Sequence, residues 1–294
     1  MDLKMLPEIP PWEWPEDTDK MLLEVLVNDR ASAADRLIAA DLAGDIIVMN
    51  DEIADALLSI VQSKDHSEVL RGRAAISLGP VVELADTDGF EDPDDIPISE
   101  NAFHKIRDSL YRLYMDASVP KNVRRRILEA SVRAPQDWHK GAVRAAYYSD
   151  DEDWRLTAVF SMRWIRGFER EILEALESDN RDVHYEAVCA AGNWEIDAAW
   201  PHISALVTSP DTEKFLLLAA IEAVADIRPQ EAGMILVDLT DSNDEDIVEA
   251  VHEAMAMAEG QLGYEPDEFG EDDDFDDLDE FDEDDDEDDN GYIH

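Results

Sequence analysis

Cysteine is almost missing: Cys189 stands alone in 294 residues, so no intramolecular disulfide can staple the chain. Positive charge is scarce too. Twenty-four Lys and Arg face 73 Asp and Glu, a formal charge of −49. Such a field repels nucleic-acid phosphate and anionic headgroups, which excludes a general nucleic-acid binder or a membrane-surface protein. Long apolar runs are lacking: the longest, Phe215 to Ile221, has seven residues, where a membrane span needs about 20. Met1 to Leu6 carry neither the basic start nor the apolar stretch of an export signal, so a cytoplasmic protein is expected. Strand-like alternation is also wanting. What remains is 45% hydrophobic, ample for a core.

The acid is unevenly spread. Residues 263–294 hold 19 Asp or Glu and no Lys or Arg, leaving 54 acids and 24 bases, a net −30, in residues 1–262. Like charges repel and nothing apolar compensates in blocks such as Glu271 to Asp274, so 263–294 is expected to be a disordered acidic tail. Upstream, apolar residues recur at helical spacing, as in Leu57, Leu58, Val61 and in Ile172, Leu173, Leu176. Breaks rich in Pro, Gly, Asn and Asp separate stretches of helical length, and the reading is all-α.

Val123, Trp154, Val183, Phe215 and Ile247 recur at separations of 31, 29, 32 and 32 residues, a period that marks stacked supersecondary units. Most follow an acidic or Asn-containing turn of good N-cap residues: Asp150 to Asp153, Asp179-Asn180, Asp211-Thr212 and Asn243-Asp244. Each marker is expected to open a helix with small residues at its centre, followed by a second, shorter helix. Val69 and Ala34 extend the register upstream, with residues 86–99 as an acidic insertion.

These residues resemble the HEAT-repeat family, particularly the short bacterial HEAT-like units also found in phycobilin lyases. The family pattern of acidic turn, Val-Arg, small pair and Leu-Gly looks like Glu68-Val69 through Arg71, Ala74-Ala75 and Leu78-Gly79, and Val123-Arg124 and Trp154-Arg155 match its Val-Arg step. Val183-His184, Phe215-Leu216 and Ile247-Val248 lack the Arg, so a ladder of Asp–Arg pairs is expected to lapse there. The resemblance implies an α-α superhelix, a HEAT-like right-handed solenoid of about seven helix pairs over 18–262, serving as a surface for partners. Residues 1–17, with Pro10-Pro11-Trp12-Glu13-Trp14-Pro15, read as an extended N-terminal cap.

Catalytic, metal and cofactor motifs are not apparent. The histidines fall mostly in different repeats with no pair three or four apart, and Cys189 lies some 140° around a helix from His184. Asp86-Thr87-Asp88-Gly89 has too few alternating oxygens for a calcium loop. No Gly-rich phosphate loop appears.

One regional feature exceeds background. Residues 105–181 hold 15 bases against 13 acids, while the rest of 1–262 holds 9 against 41. Arg124, Arg125, Arg126, Arg133, Lys140, Arg144, Arg155, Arg163 and Arg166 lie in this island, with Trp138, Trp164 and Trp194 in or beside it. Arg and Trp are enriched at binding hot spots, which points to a protein partner on the surface of residues 105–200, one presenting an acidic or aromatic segment. Trp164 and Trp194 follow their markers by ten and eleven residues and are expected at equivalent places. The expected function is a non-catalytic scaffold or adaptor. Phe269, Phe275 and Phe281 would anchor the tail in an intramolecular contact with the island that tunes binding. Open alternatives are an enzyme accessory or lyase-like HEAT subunit, a nucleic-acid-mimicking or chaperone-like acidic protein, and solvation in a salt-rich cytoplasm.

Overall fold

The computed structural model describes residues 3–92 and 95–263. Fifteen α-helices occupy them. In chain order they are α1 (Thr18–Val27), α2 (Ala33–Leu42), α3 (Asp51–Gln62), α4 (Glu68–Ser77), α5 (Gly79–Asp88), α6 (Glu100–Met115), α7 (Lys121–Ser131) and α8 (Asp137–Tyr147). The series continues with α9 (Glu152–Ser161), α10 (Glu169–Ala175), α11 (Arg181–Asn193), α12 (Trp200–Thr208), α13 (Lys214–Ile227), α14 (Pro229–Leu236) and α15 (Glu245–Gly263).

Local chemistry starts many of them. Side chains of Ser32, Asn50, Ser67, Ser99, Asp151 and Asn180 each accept a backbone N–H from the first turn of the helix that follows. Each such cap contributes about 1 kcal/mol. Asp244 likewise accepts the N–H of Asp246 ahead of α15. Thr212 does not cap as expected: its hydroxyl donates to the Leu206 carbonyl at 2.7 Å, and Glu213 takes the N-cap place of α13.

Every marker opens a helix. Ala34, Val69, Val123, Trp154, Val183, Phe215 and Ile247 sit at the second or third position of α2, α4, α7, α9, α11, α13 and α15. These seven helices stack on one another in that order and form one layer. The other layer holds α1, α3, α6, α8, α10, α12 and α14, each packed on the marker helix that follows it. The expected pairing is therefore shifted by one helix. A marker helix packs mainly on its predecessor, because the turn after it carries the chain on to the next unit. The result is seven pairs, with α5 as an additional helix bridging α4, α6 and α7.

Small residues set the spacing within the marker layer. A Cβ on Gly192 of α11 would lie 3.1 Å from the Ala223 Cα of α13, and one on Gly44 would lie 3.0 Å from the Ser77 Cα. Large apolar side chains fill the space between layers. Leu57, Ile127, Val188 and Ile221 are fully buried, each contributing about 1.5–3 kcal/mol. The buried residues form two clusters that meet on α7, with Ile127 in one and Leu128 in the other.

The N-terminal segment departs from the extended form expected of it. Leu3–Glu8 and Pro11–Glu13 are short 3₁₀ turns; proline is compatible with a first helical position, where its fixed φ fits and no N–H is required. Leu3 and Leu6 are buried, and the Trp14 indole donates to the carbonyls of Leu6 and Ile9. The insertion at 86–99 begins as the last turn of α5, then buries Ile96 and Ile98 before Ser99 caps α6. Of the expected tail, Gly263 ends α15; the rest, with Phe269, Phe275 and Phe281, lies outside the described residues. Among the described residues no helix is long and apolar enough to cross a membrane.

Candidate functional site

A cleft of about 750 Å³ runs across the marker layer. Each wall is one helix face, as the spacing shows: Val69, Gly72, Arg73 and Ile76 on α4, then Asn122, Arg125, Arg126 and Glu129 on α7. Leu156 and Phe160 come from α9, Tyr185 and Glu186 from α11, and Phe215 from α13. Tyr185 and Phe215, with ring centroids 5.7 Å apart, also line a second compartment of about 550 Å³. That compartment continues along α13 and α15, past Leu218, Glu222, Glu249, Glu253 and Met257. The two form one channel along five successive helix steps.

The arginines of the first compartment are already engaged. Arg125 is buried; its Nε donates to the Thr157 hydroxyl at 3.0 Å and its guanidinium pairs with Asp153 at 3.2 Å. Thr157 donates in turn to Glu129 at 2.6 Å, and Glu129 pairs with Arg126 at 2.5 Å. This chain of contacts ties α7 to α9. Arg73 pairs with Asp41 at 2.8 Å. Arg133 pairs with Glu83 at 2.5 Å while lying 4.7 Å over Trp164, whose indole donates to the same carboxylate at 2.9 Å. Gly72 and Gly79 make room for these side chains, since a Cβ would come within 3.2 Å of Arg126 Cγ and 2.8 Å of Arg133 Cδ. Arg163 faces Glu186 at 3.5 Å, and burial nevertheless holds the Glu186 carboxyl above its ordinary pKa.

The second compartment differs in sign. Glu222, Glu249 and Glu253 are exposed, and among the described residues no ion pair joins them to a Lys or Arg, whereas Asp246 of the same lining pairs with Lys214. Nearby, burial together with Glu222 and Glu195 raises the pKa of Asp226.

The structure divides the basic island. Of the residues singled out by sequence, Arg125, Arg126 and Arg133 line the cleft, and Arg163 and Trp164 stand at its edge. The others lie elsewhere. Trp138 of α8 packs against Tyr111, Tyr114 and His139, its indole donating to Gln136. Arg124 lies over Trp154, Arg144 over Phe168 and Arg166 over Trp194. Arg155 contacts Tyr147 and pairs with Glu174, and Lys140 lies against Gly167. Trp164 and Trp194 occupy comparable turns after α9 and α11, and Trp194 donates to the Met162 carbonyl.

The ion-pair ladder continues through two of the three steps where it is expected to lapse. Lys121 pairs with Asp151, Arg181 with Glu213, and Lys214 with Asp244 and Asp246, so the rung is carried by the helix's first residue. His184 and His202, 18 residues apart, meet at 2.8 Å. The Cys189 thiol contacts Tyr185, and burial pushes it up to about 11. Among the described residues no group of three or more His, Cys, Asp or Glu is placed to hold a metal.

Seven stacked pairs with a cleft along one layer define a HEAT-like α-solenoid. No family model matches the sequence, and no curated protein matches it. Among solved structures, the chain is similar to human deoxyhypusine hydroxylase in complex with glycerol, at 16% identity and a TM-score of 0.39 over 88% of both chains. It is also similar to E. coli YibA, at 15% identity and a TM-score of 0.47 over 86% of this chain and 93% of that one. An engineered protein matches at 17% identity and a TM-score of 0.33, over 84% of this chain and 98% of that one. At such scores the likeness carries no argument, and the architecture rests on the helix packing itself.

Proposed function

We propose that the chain is a non-catalytic scaffold or adaptor that holds a segment of another protein in the channel of its marker layer. The observation that carries this reading is the cleft between α4 and α13, where exposed Val69 and half-buried Ile76, Leu156, Phe160, Tyr185 and Phe215 present apolar surface that no other part of the described chain covers. The guanidiniums beside it are held by carboxylates, which presets their positions and lowers the entropy lost on binding. The acidic segment after α15, outside the described residues, begins at the end of the same layer and would modulate access through its charge.

Photo-cross-linking in the native host tests this. A benzophenone at Val69, 67% exposed within the cleft, should give a defined protein adduct, whereas one at Met234, 72% exposed on α14 of the other layer, should not. Identical adduct patterns from both positions would refute a dedicated channel.

A further inference from the structure

Resting on that reading, we infer that the channel takes a segment of basic-apolar chemistry: an apolar anchor in the cleft, followed or preceded by Lys or Arg over α13 and α15. The argument is one of charge left over after pairing. Around the first compartment, Arg73, Arg125, Arg126, Arg133 and Arg163 each face a carboxylate of the chain itself, so an incoming acidic segment would find its positive partners already taken. In the second compartment Glu222, Glu249 and Glu253 line the channel with no such ion pair among the described residues, and Met257 and Leu218 supply apolar surface beside them. The sign of the channel is therefore neutral at one end and negative at the other. An acidic segment, this chain's own C-terminal residues included, meets repulsion along the second half. A basic one meets three exposed carboxylates that no Lys or Arg among the described residues pairs with.

The geometry also fixes a spacing. The aromatic floor of Phe160 and Tyr185 lies on α9 and α11, and the carboxylates lie on α13 and α15, two helix steps away. Neighbouring helices sit about 8–10 Å apart, giving about 16–20 Å between the two features. An extended chain advances about 3.3 Å per residue, so the anchor and the basic cluster are separated by about five or six residues.

Fluorescence anisotropy with three labelled peptides and the full chain tests the inference. The first carries a Leu-Phe pair, a five-residue Gly-Ser spacer and three lysines, made in both chain directions; the second replaces the lysines with glutamates; the third replaces the Leu-Phe pair with serines. The lysine peptide should bind in one direction and the other two at least tenfold more weakly. Glu249→Lys with Glu253→Lys should weaken the lysine peptide about tenfold. Glu24→Lys with Glu52→Lys, exposed on α1 and α3 of the other layer and equal in net charge, should change it less than threefold. Equal weakening by both pairs would reduce the attraction to the protein's overall charge and overturn the inference. Binding of the glutamate peptide that is lost on Phe160→Ala, in protein whose circular dichroism is unchanged, would overturn the sign while leaving the channel reading in place. Indifference of every peptide to Phe160→Ala would remove both.

Discussion

His139 makes the stability of the α7–α8 region depend on pH, and the size of the effect follows from its surroundings. The ring is fully buried beside Trp138, with centroids 3.7 Å apart. Its Nδ1 accepts the Gln136 N–H at 2.9 Å, leaving Nε2 to carry the proton and donate to the Ser131 hydroxyl at 3.0 Å. Burial, with a smaller contribution from Arg107, lowers the pKa to about 3. In the unfolded chain the imidazole returns to about 6.5. Below that value the unfolded state binds a proton that the folded state refuses, so stability is fully present above pH 6.5 and falls progressively as the pH drops toward 3. Linkage over that window gives a loss of about 2 kcal/mol between pH 7 and pH 5. The assay is urea unfolding followed by tryptophan fluorescence at both pH values and constant ionic strength, for the wild type and His139→Gln. The variant is expected to be less stable at pH 7 but to lose about 2 kcal/mol less on acidification, since every other titrating group is common to both. Equal losses, or a His139 imidazole resonance (identified by its loss in His139→Gln) titrating near pH 6 in the folded protein, would refute the assignment.

Gly79→Ala should displace Arg133 from Glu83 and Trp164 and cost about 1–3 kcal/mol, more than Gly72→Ala, whose neighbour is the flexible Arg126 stem; thermal melts ranking the two the other way would contradict the packing. Arg71→Ala removes a buried guanidinium whose Nε donates to the Val61 carbonyl at 2.9 Å, and should cost about 2–3 kcal/mol. Arg73→Ala, exposed and two residues away, should cost clearly less, and equal denaturation midpoints for the two would count against the assignment. Glu195 holds φ of 50° after α11, with Glu195 N bonded to Gly192 O and Ile196 N to Ala191 O. Glycine suits that left-handed position, so Glu195→Gly should raise stability by about 1 kcal/mol; a lowered melting temperature would contradict the strain assigned to that backbone.

The markers were legible because five repeats, at Val123, Trp154, Val183, Phe215 and Ile247, keep a large, at least half-buried apolar residue near the start of a helix, while Ala34 and Val69 hold the same register but are exposed. The layer they form was not legible, since the same period fits a helix paired with its successor or its predecessor. The basic island is divided for a related reason. Arg124, Arg125 and Arg126 are adjacent in sequence, but each residue turns about 100° around the helix. The first lies over Trp154, the second buries against Thr157, and the third enters the cleft. A count of charge along the chain averages over those directions. Positions two, three and six or seven after a marker, as in Arg125-Arg126, Leu156-Phe160, Tyr185-Glu186 and Glu249-Glu253, carried the channel signal. The pairing of Trp164 with Glu83 spans 81 residues and no local pattern announces it. The ladder moved to Arg181 and Lys214 because a side chain on the first residue of a helix reaches the next unit's turn as readily as one further in.

Contact between successive marker helices is extensive, whereas contact between successive helices of the other layer is thin. Mechanically, the body is a spring whose stiff leaf is the marker layer and whose compliant leaf is the opposite face. Bending strain gathers where neighbours hold each other least, so flexure opens or closes the seams between α6, α8, α10 and α12 while the marker stack acts as the neutral line. An occupant of the channel lies off that line, against the outward side chains of the marker helices, and crosses every joint from α4 to α15 at once. It would act as a splint, changing the elasticity of the whole array without altering the shape of any one repeat.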